Sequence, residues 1–227
     1  MKRYAIMLLI LGLLQGAILI PAARAEKPAS EAQELVEKSV GVLGRFLADK
    51  KFEWLHENLK NAKAVMIFPR VIRAGFIWGG SGGHGVLVVR DEKGSGWSQP
   101  AFYSVGSVSY GLQIGGEEAE VIMLAMNKKA IDSLLASSFK FGGDVAVAAG
   151  PQGAGAKKIL NADFISFGRS KGLYAGLNFE GSIVKVREDL NKAYYGKEVR
   201  PVQIIVERLT SNPASEPLLT AVSKAAR

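Results

Sequence analysis

From residue 62 onward, short apolar segments follow one another through brief turns rather than through intervening helices. Residues 64–68, 86–89, 120–126 and 145–149 each have the length and the apolar composition of a strand. Strands joined by short turns pair as antiparallel neighbours, whereas a parallel sheet needs a long crossover between its strands. We therefore predict an α+β fold. A mainly antiparallel β-sheet or barrel-like core is flanked by N-terminal amphipathic helices and short C-terminal helices.

Two helices are predicted before the first strand. Ser30 and Gln33 have the spacing of a capping box, and apolar residues then recur at steps of three and four to about residue 48. A second, shorter helix is predicted over residues 52–60. The apolar stripe of each helix can pack on the domain or insert into a membrane surface beside basic residues. The candidates for insertion are Phe46, Phe52 and Trp54.

The predictions for the rest of the chain rest on turn and cap residues. The glycine-rich segment 79–85 is predicted to be the loop of a hairpin, and residues 173–186 are predicted to form one strand. Helices are predicted at residues 127–135, 189–195 and 216–225, the first capped by Asn127 and the second stopped by Gly196. Residues 202–207 are predicted to form a short strand.

The first 25 residues have the composition of a cleavable export signal. Lys2 and Arg3 precede an apolar run over residues 5–20, and Ala23 and Ala25 supply the small side chains of a signal-peptidase site. An uncleaved membrane anchor is the alternative, but the run is short for a span of roughly 20 residues. We predict a signal peptide at residues 1–25 and a single domain at residues 26–227, exported to the periplasm or secreted. With no cysteine, this domain has neither disulfides nor a thiolate metal site.

The charge of the chain is moderately basic. The whole sequence carries a net charge of +8. Removing Lys2, Arg3 and Arg24 leaves 26 basic residues against 21 acidic residues, a net charge of +5. This excess suits an anionic phospholipid surface, although a soluble protein with no such partner can have the same charge. Nucleic acid is disfavoured because no dense run of basic residues or recognition motif is present.

No complete catalytic or metal site can be assembled from the sequence. The segment 80–85 matches G-x-G-x-x-G but precedes a strand, whereas a dinucleotide site needs a helix there. His56 and His84 lack metal-ligand spacing. Asp144 is either a general acid or base, or a carboxylate that accepts backbone hydrogen bonds. Glu117, Glu118 and Glu120 are predicted to lie in a solvated turn. We expect no cofactor, no metal and no enzymatic activity.

Basic residues are found at the predicted bends of the chain. If these bends share one edge of the sheet, they form a rim that faces phosphate groups; otherwise they are a scattered solvated surface. The candidate lipid-binding residues are Arg70, Arg73, Lys128, Lys129, Lys140, Arg169 and Lys171.

Several segments, in this order along the chain, resemble the core of the SYLF domain family. They are residues 62–69 (AKAVMIFP), 74–76 (AGF), 83–90 (GHGVLVVR), 97–102 (WSQPAF), 110–116 (YGLQIGG), 147–151 (VAAGP), 170–176 (SKGLYAG) and 191–196 (NKAYYG). The resemblance covers about residues 35–196, most of the domain, and identifies the chain as similar to a bacterial exported member of this family.

The resemblance implies a non-enzymatic phospholipid-binding module. It implies phosphoinositide ligands in eukaryotic members, actin binding in fungal members, and a role for the N-terminal amphipathic helix at the membrane. An exported protein would meet neither actin nor phosphoinositides, so we expect anionic envelope lipid as the partner. The alternatives are a structural or protein-interaction module of the cell envelope, and an enzyme that uses Asp144 or His84. The sequence leaves the oligomeric state undetermined.

Overall fold

The fold is an α+β architecture built around one curled sheet. The computed structural model describes residues 28–75, 78–91, 96–110, 115–151, 162–171, 173–175 and 177–227. The predicted export signal and the segment 152–161 lie outside the described residues. The helices are α1 (Pro28–Ala48), α2 (Glu53–Asn58), α3 (Lys128–Leu134), α4 (Glu188–Tyr195), α5 (Pro201–Ile205) and α6 (Glu216–Ala225).

The strands form a single sheet in which nearly all neighbours are antiparallel. They are β1 (Ala64–Gly75), β2 (Trp78–Val89), β3 (Ala101–Tyr110), β4 (Gly115–Ala125), β5 (Ser138–Lys140), β6 (Val147–Ala149), β7 (Phe164–Ser170), β8 (Leu173–Ala175) and β9 (Ile183–Val186). Their order is β5-β9-β3-β2-β1-β4-β7-β6, with β8 paired to β7 and only β6–β7 parallel. A bridge between Phe141 and Val145 connects the two ends of this order, so the sheet is barrel-like as predicted.

The two faces of the sheet bury two different apolar clusters. The inner face carries Met66, Phe68 and Tyr103, which pack with α3, α5 and the aromatic rings of β5 and β7. The outer face carries Val65 and Ile67, which pack beneath α1, α2, α4 and α6. Alternate residues of each strand point to opposite faces, so a residue of known register can be assigned to a face.

A bulge in β1 explains the glycines opposite it. Ile67 pairs with Val86 and Arg70 pairs with His84, so two residues of β1 lie opposite Gly85 alone. Pro69 lies in this bulge, where its missing N–H interrupts no ladder hydrogen bond. A Cβ atom on Gly85 would lie 2.4 Å from the Ile67 carbonyl oxygen, and one on Gly83 would lie 2.4 Å from that of Arg70. These two glycines are therefore required by the close approach of β1.

Several local predictions are confirmed. Asn127 caps α3 by accepting a hydrogen bond from the amide of Ala130. Gly196 ends α4 in the left-handed conformation, with φ of 69°. The terminal helix α6 has the predicted bounds.

Four local predictions are wrong. The glycine-rich segment 79–85 is part of β2 rather than a hairpin loop. Glu117 and Glu118 lie in β4 rather than in a turn, and Glu120, which is predicted both in that turn and in the strand 120–126, lies in β4 as well. The region 173–186 forms two strands, β8 and β9, separated by an irregular stretch. Residues 201–205 form a helix rather than the predicted strand. Pro201 in the first turn favours a helix, and the apolar side chains of this helix reach the cluster on the inner face of the sheet.

Asp163 is a buried carboxylate that ties β7 to its neighbours. It accepts hydrogen bonds from the side-chain amide of Asn127 (2.7 Å) and from the backbone amide of Ala146 (2.7 Å), and the Lys129 ammonium lies 3.3 Å away. Burial alone would raise the pKa of the Asp163 carboxyl. The hydrogen bonds from Ala146 and Asn127 and the charge of Lys129 outweigh burial, and the pKa lies below its ordinary value.

We expect Asp163→Ala to lower the free energy of unfolding by about 2–3 kcal/mol at neutral pH, because it leaves buried donors without an acceptor. A lowered pKa stabilises the fold above the ordinary carboxyl pKa, and this stability is lost as the pH falls through the folded pKa. The difference between wild type and variant should therefore narrow in acid, as measured by urea unfolding. The exposed Asp132, paired with Lys128 one turn away, is the control, and its alanine variant should lose less than about 0.5 kcal/mol. Equal losses at the two sites would contradict this account.

Candidate interaction surface

Arg70 and Arg169, two of the candidate lipid-binding residues, form ion pairs on the outer face. The Arg70 Nε atom lies 2.8 Å from Oε2 of Glu118. Glu120 lies between two arginines, 2.6 Å from Arg45 Nη2 of α1 and 3.4 Å from Arg169 Nη1 of β7. Glu120 thus joins the end of α1 to the sheet, and both candidate arginines have carboxylate partners within the chain.

Three further candidates also have partners within the fold. Arg73 lies on the inner face, where Nη2 donates a hydrogen bond of 2.9 Å to the carbonyl oxygen of Asn178. Lys128 pairs with Asp132 one turn along α3, and Lys129 pairs with Asp163. The structure therefore distributes these residues over both sheet faces and α3 instead of gathering them along one rim.

Lys140 and Lys171 are the two candidates for which the described residues provide no ion pair. Lys140 lies on β5, and Lys171 occupies the turn after β7 with φ of 47°. Lys185 on β9 is likewise exposed and without an ion pair to the described part of the chain. Among the described residues, no carboxylate competes with an external anion for these three lysines.

The three membrane-helix candidates pack against the sheet. Phe46 and Phe52 are fully buried, with ring centroids 4.4 Å apart. The Phe167 ring of β7 lies 6.4 Å from Phe52 and 5.8 Å from Trp54. In this fold the three aromatic rings therefore attach the N-terminal helices to the outer face. Within the described ranges, no helix combines the length and the hydropathy of a membrane span.

His84 belongs to a cluster that holds the first turn of α1. Its Nδ1 lies 2.8 Å from Oε1 of Glu31 in α1. Nη1 of Arg187 lies 2.9 Å from Nδ1 and 2.7 Å from Nε2 of His84, so this nitrogen sits across the imidazole rather than in line with one ring atom. Arg187 also makes two hydrogen bonds to Asp189, and they lower the pKa of the Asp189 carboxyl below its ordinary value. The cluster connects α1, β2 and the start of α4.

The other candidates for chemistry also have structural partners. Oδ2 of Asp144 accepts a hydrogen bond of 2.7 Å from the amide of Lys140 in a turn, and Nε2 of His56 lies 2.8 Å from the carbonyl oxygen of Phe46. The described residues include no group of three His, Cys, Asp or Glu side chains placed to hold a metal ion. A cleft of about 120 Å³ between β6 and residues 177–179 is smaller than the roughly 300–1,000 Å³ of small-molecule sites.

The surface that the sequence did not reveal lies at the end of the outer face beyond α1. The register places one row of residues across six strands, in the order Lys140, Ile183, Gly106, Gly82, Ile72 and Glu118. A second row comprises Val108, Gly80, Ala74 and Gly116. We call these two rows the bare face. Ile72, Ile183 and Val108 are 42%, 52% and 85% exposed, so aliphatic side chains border a strip of glycine backbone.

Comparison with known proteins assigns the chain to a family. Residues 106–225 match the family model described as Ysc84: Las17-binding protein actin regulator. This match covers more than half of the chain. The chain belongs to the Ysc84 family. The resemblance to the SYLF family is thereby confirmed, and the match to the Ysc84 model continues to residue 225, past the last quoted motif.

Relatives of this Ysc84 family member are found in yeasts and animals. The protein YSC84 of Saccharomyces cerevisiae is 32% identical over 168 residues, 71% of this chain and 36% of that protein. The SH3 domain-containing protein PJ696.02 of Schizosaccharomyces pombe is 32% identical over 167 residues, 70% of this chain and 38% of its own length. The human SH3 domain-containing YSC84-like protein 1 is 28% identical over 152 residues, 65% and 44% of the two chains. The chain spans less than half the length of these relatives.

Proposed function

We propose that this chain is a non-catalytic protein-interaction module that binds its partner through the bare face. The observation that carries the proposal is the exposure of Ile72, Ile183 and Val108 around a glycine strip on an otherwise helix-covered sheet face. Exposed apolar side chains grouped on one face and rimmed by charge are typical of protein-binding surfaces. The names of the family and of a relative, LAS seventeen-binding protein 3, also support a protein partner, since they refer to Las17 and to actin regulation.

The charges around the bare face favour a protein over a uniformly anionic membrane. Lys140 lies at one end of the row and Glu118 at the other, where Arg70 is paired with Glu118. A surface with both signs of charge recognises a partner that has both signs, whereas a membrane of anionic lipid repels its acidic part. Three of the ionisable residues considered for chemistry, Asp144, His56 and His84, hold backbone or side-chain partners, which supports a non-catalytic role.

Actin filaments are the probe for this proposal, because the family description names actin regulation. We expect the purified protein to co-sediment with filamentous actin in a saturable manner, and to remain in the supernatant without filaments. Serum albumin is the control for trapping in the pellet. Recovery of the protein in the supernatant at every actin concentration would contradict the proposal for this partner class.

Binding to anionic phospholipid is the second candidate function. The exposed lysines Lys140, Lys171 and Lys185 support it, since they have no ion pair within the described residues. The predicted export signal at residues 1–25 favours this second candidate over the first, because an exported protein would meet envelope lipid instead of actin. Co-sedimentation of the protein with vesicles that contain or lack phosphatidylglycerol tests this candidate. We expect the protein to pellet only with the anionic vesicles, and added salt to release it. Equal pelleting with neutral vesicles, or none, would contradict this candidate.

A further inference from the structure

The four central residues of the first row of the bare face read alike from both ends. From β5 to β4 the row runs lysine, isoleucine, glycine, glycine, isoleucine, glutamate. Rotation by 180° about an axis parallel to the strands, placed between β2 and β3, brings a second copy face to face with the first. Gly82 of each copy then lies opposite Gly106 of the other, and Ile72 opposite Ile183. Lys140 and Glu118, at the two ends of the row, lie five strands apart on a curled sheet and fall outside this contact. The centre of the row is therefore self-complementary, as a two-fold interface requires.

Packing among the described residues does not explain the central glycines. A Cβ atom on Gly82 would meet only the Val105 carbonyl oxygen at 3.8 Å, and one on Gly106 only that of Ser81 at 3.5 Å. Both are ordinary contact distances, in contrast to the 2.4 Å that makes Gly83 and Gly85 necessary. Glycine within a strand commonly marks a place where another backbone approaches closely. Within the described residues, no backbone approaches Gly82 or Gly106 this closely, and the backbone of a partner can do so.

The curvature of the sheet gives these glycines a further role. The sheet curls around the inner cluster, so its outer face is convex, and two convex faces meet first along their crests. Gly82 and Gly106 occupy the middle of the row, where the crests meet. Without side chains there, the two backbones can approach until the flanking isoleucines touch. The second row adds Val108, which is 85% exposed. Val108 pairs in register with Gly80 of its own copy, so the same rotation places its side chain opposite Gly80 of the second copy, where there is room for it.

We propose that the bare face is a self-association surface, occupied by a second copy of this chain in a two-fold dimer. The proposal rests on the proposed function in assigning protein contacts to this face, and it goes further in naming an occupant. Because self-association and partner binding use the same residues, the dimer competes with the partner.

The size of the face indicates a weak dimer. Because two convex faces touch only near their crests, the contact is limited to the four central strands. Four strands at about 4.8 Å spacing, with two rows each about 7 Å wide, give on the order of 300 Å² per copy. Stable complexes bury roughly 800 Å² per partner. We therefore expect association that depends on protein concentration, with monomer predominant when the protein is dilute.

Sedimentation velocity from about 10 µM to about 1 mM protein tests the proposal in the concentration range of weak complexes. Wild type should shift reversibly from monomer to dimer. Gly82→Arg, which places a long cation at the crest, should weaken association by about tenfold or more. Gly44→Arg is the matched control, since Gly44 is exposed on α1 and a Cβ added there would meet no atom within 4 Å, and it should associate like wild type.

A charge-pair experiment tests the symmetry itself. Ile72→Lys and Ile183→Glu should each weaken association, and the double variant should restore it, because the lysine of one copy then faces the glutamate of the other. A monomer at every concentration, association unchanged by Gly82→Arg, or a double variant no better than either single variant would each overturn the proposal. A monomeric protein that still binds actin filaments would overturn the dimer alone and leave the proposed function standing.

Discussion

Replacing Gly85 with alanine is expected to lower the free energy of unfolding by about 3 kcal/mol, a severe loss for one methyl group. The added Cβ would lie 2.4 Å from the carbonyl oxygen of Ile67 and 2.6 Å from the ring of Phe68. Neither neighbour can move freely, because both belong to the bulged part of β1 at the centre of the sheet. Urea unfolding followed by circular dichroism measures the loss.

Gly82→Ala is the control for this prediction, in the same strand and three residues away. Its Cβ would make only an ordinary contact, at 3.8 Å, so we expect a result between no change and a gain of about 1 kcal/mol. Similar destabilisation of the two variants would contradict the assigned close approach of β1 at Gly85.

Replacing Phe46 with alanine is expected to lower the free energy of unfolding by about 3–5 kcal/mol. The ring is fully buried between α1 and the sheet, 4.4 Å from the ring of Phe52, and its removal leaves a cavity there. Thermal and urea unfolding of the purified variant test this prediction in the absence of any lipid.

Phe46→Leu provides the matched control, since it keeps most of the buried apolar volume and should lose less than about 1.5 kcal/mol. A Phe46→Ala variant as stable as wild type would show that the ring contributes nothing to the fold. In that case α1 would be free to place Phe46 in a membrane, as the sequence alone allows.

The local rules of sequence predict much of the architecture. Apolar runs joined by short turns indicate the antiparallel sheet, and cap residues such as Asn127 and Gly196 locate helix ends, because a cap acts on backbone groups only a few residues away. The prediction for segment 79–85 is wrong because glycines serve equally in hairpin turns and in strands that lie close to another backbone. Only the bulge at Pro69 distinguishes the two, and it requires the pairing of β1 with β2.

The bare face could not be predicted from the sequence, for a related reason. Its first row draws one residue from each of six strands, and the register that aligns Ile183 with Ile72 is set by the packing of the whole sheet. The ion pairs are equally hidden, since Arg45 and Glu120 lie 75 residues apart in the chain. Arg70 and Arg169, two of the predicted lipid-binding residues, belong to pairs of this kind.

The most direct test of the central claim compares the affinities of wild type, Gly82→Arg and Gly44→Arg for actin filaments. The claim that the chain binds a protein partner through the bare face predicts saturable binding by wild type and Gly44→Arg. It predicts binding at least about tenfold weaker by Gly82→Arg, with the thermal unfolding of all three proteins alike. Equal binding by the three proteins would show that the bare face is not the binding surface. No binding by wild type would contradict the proposed function itself.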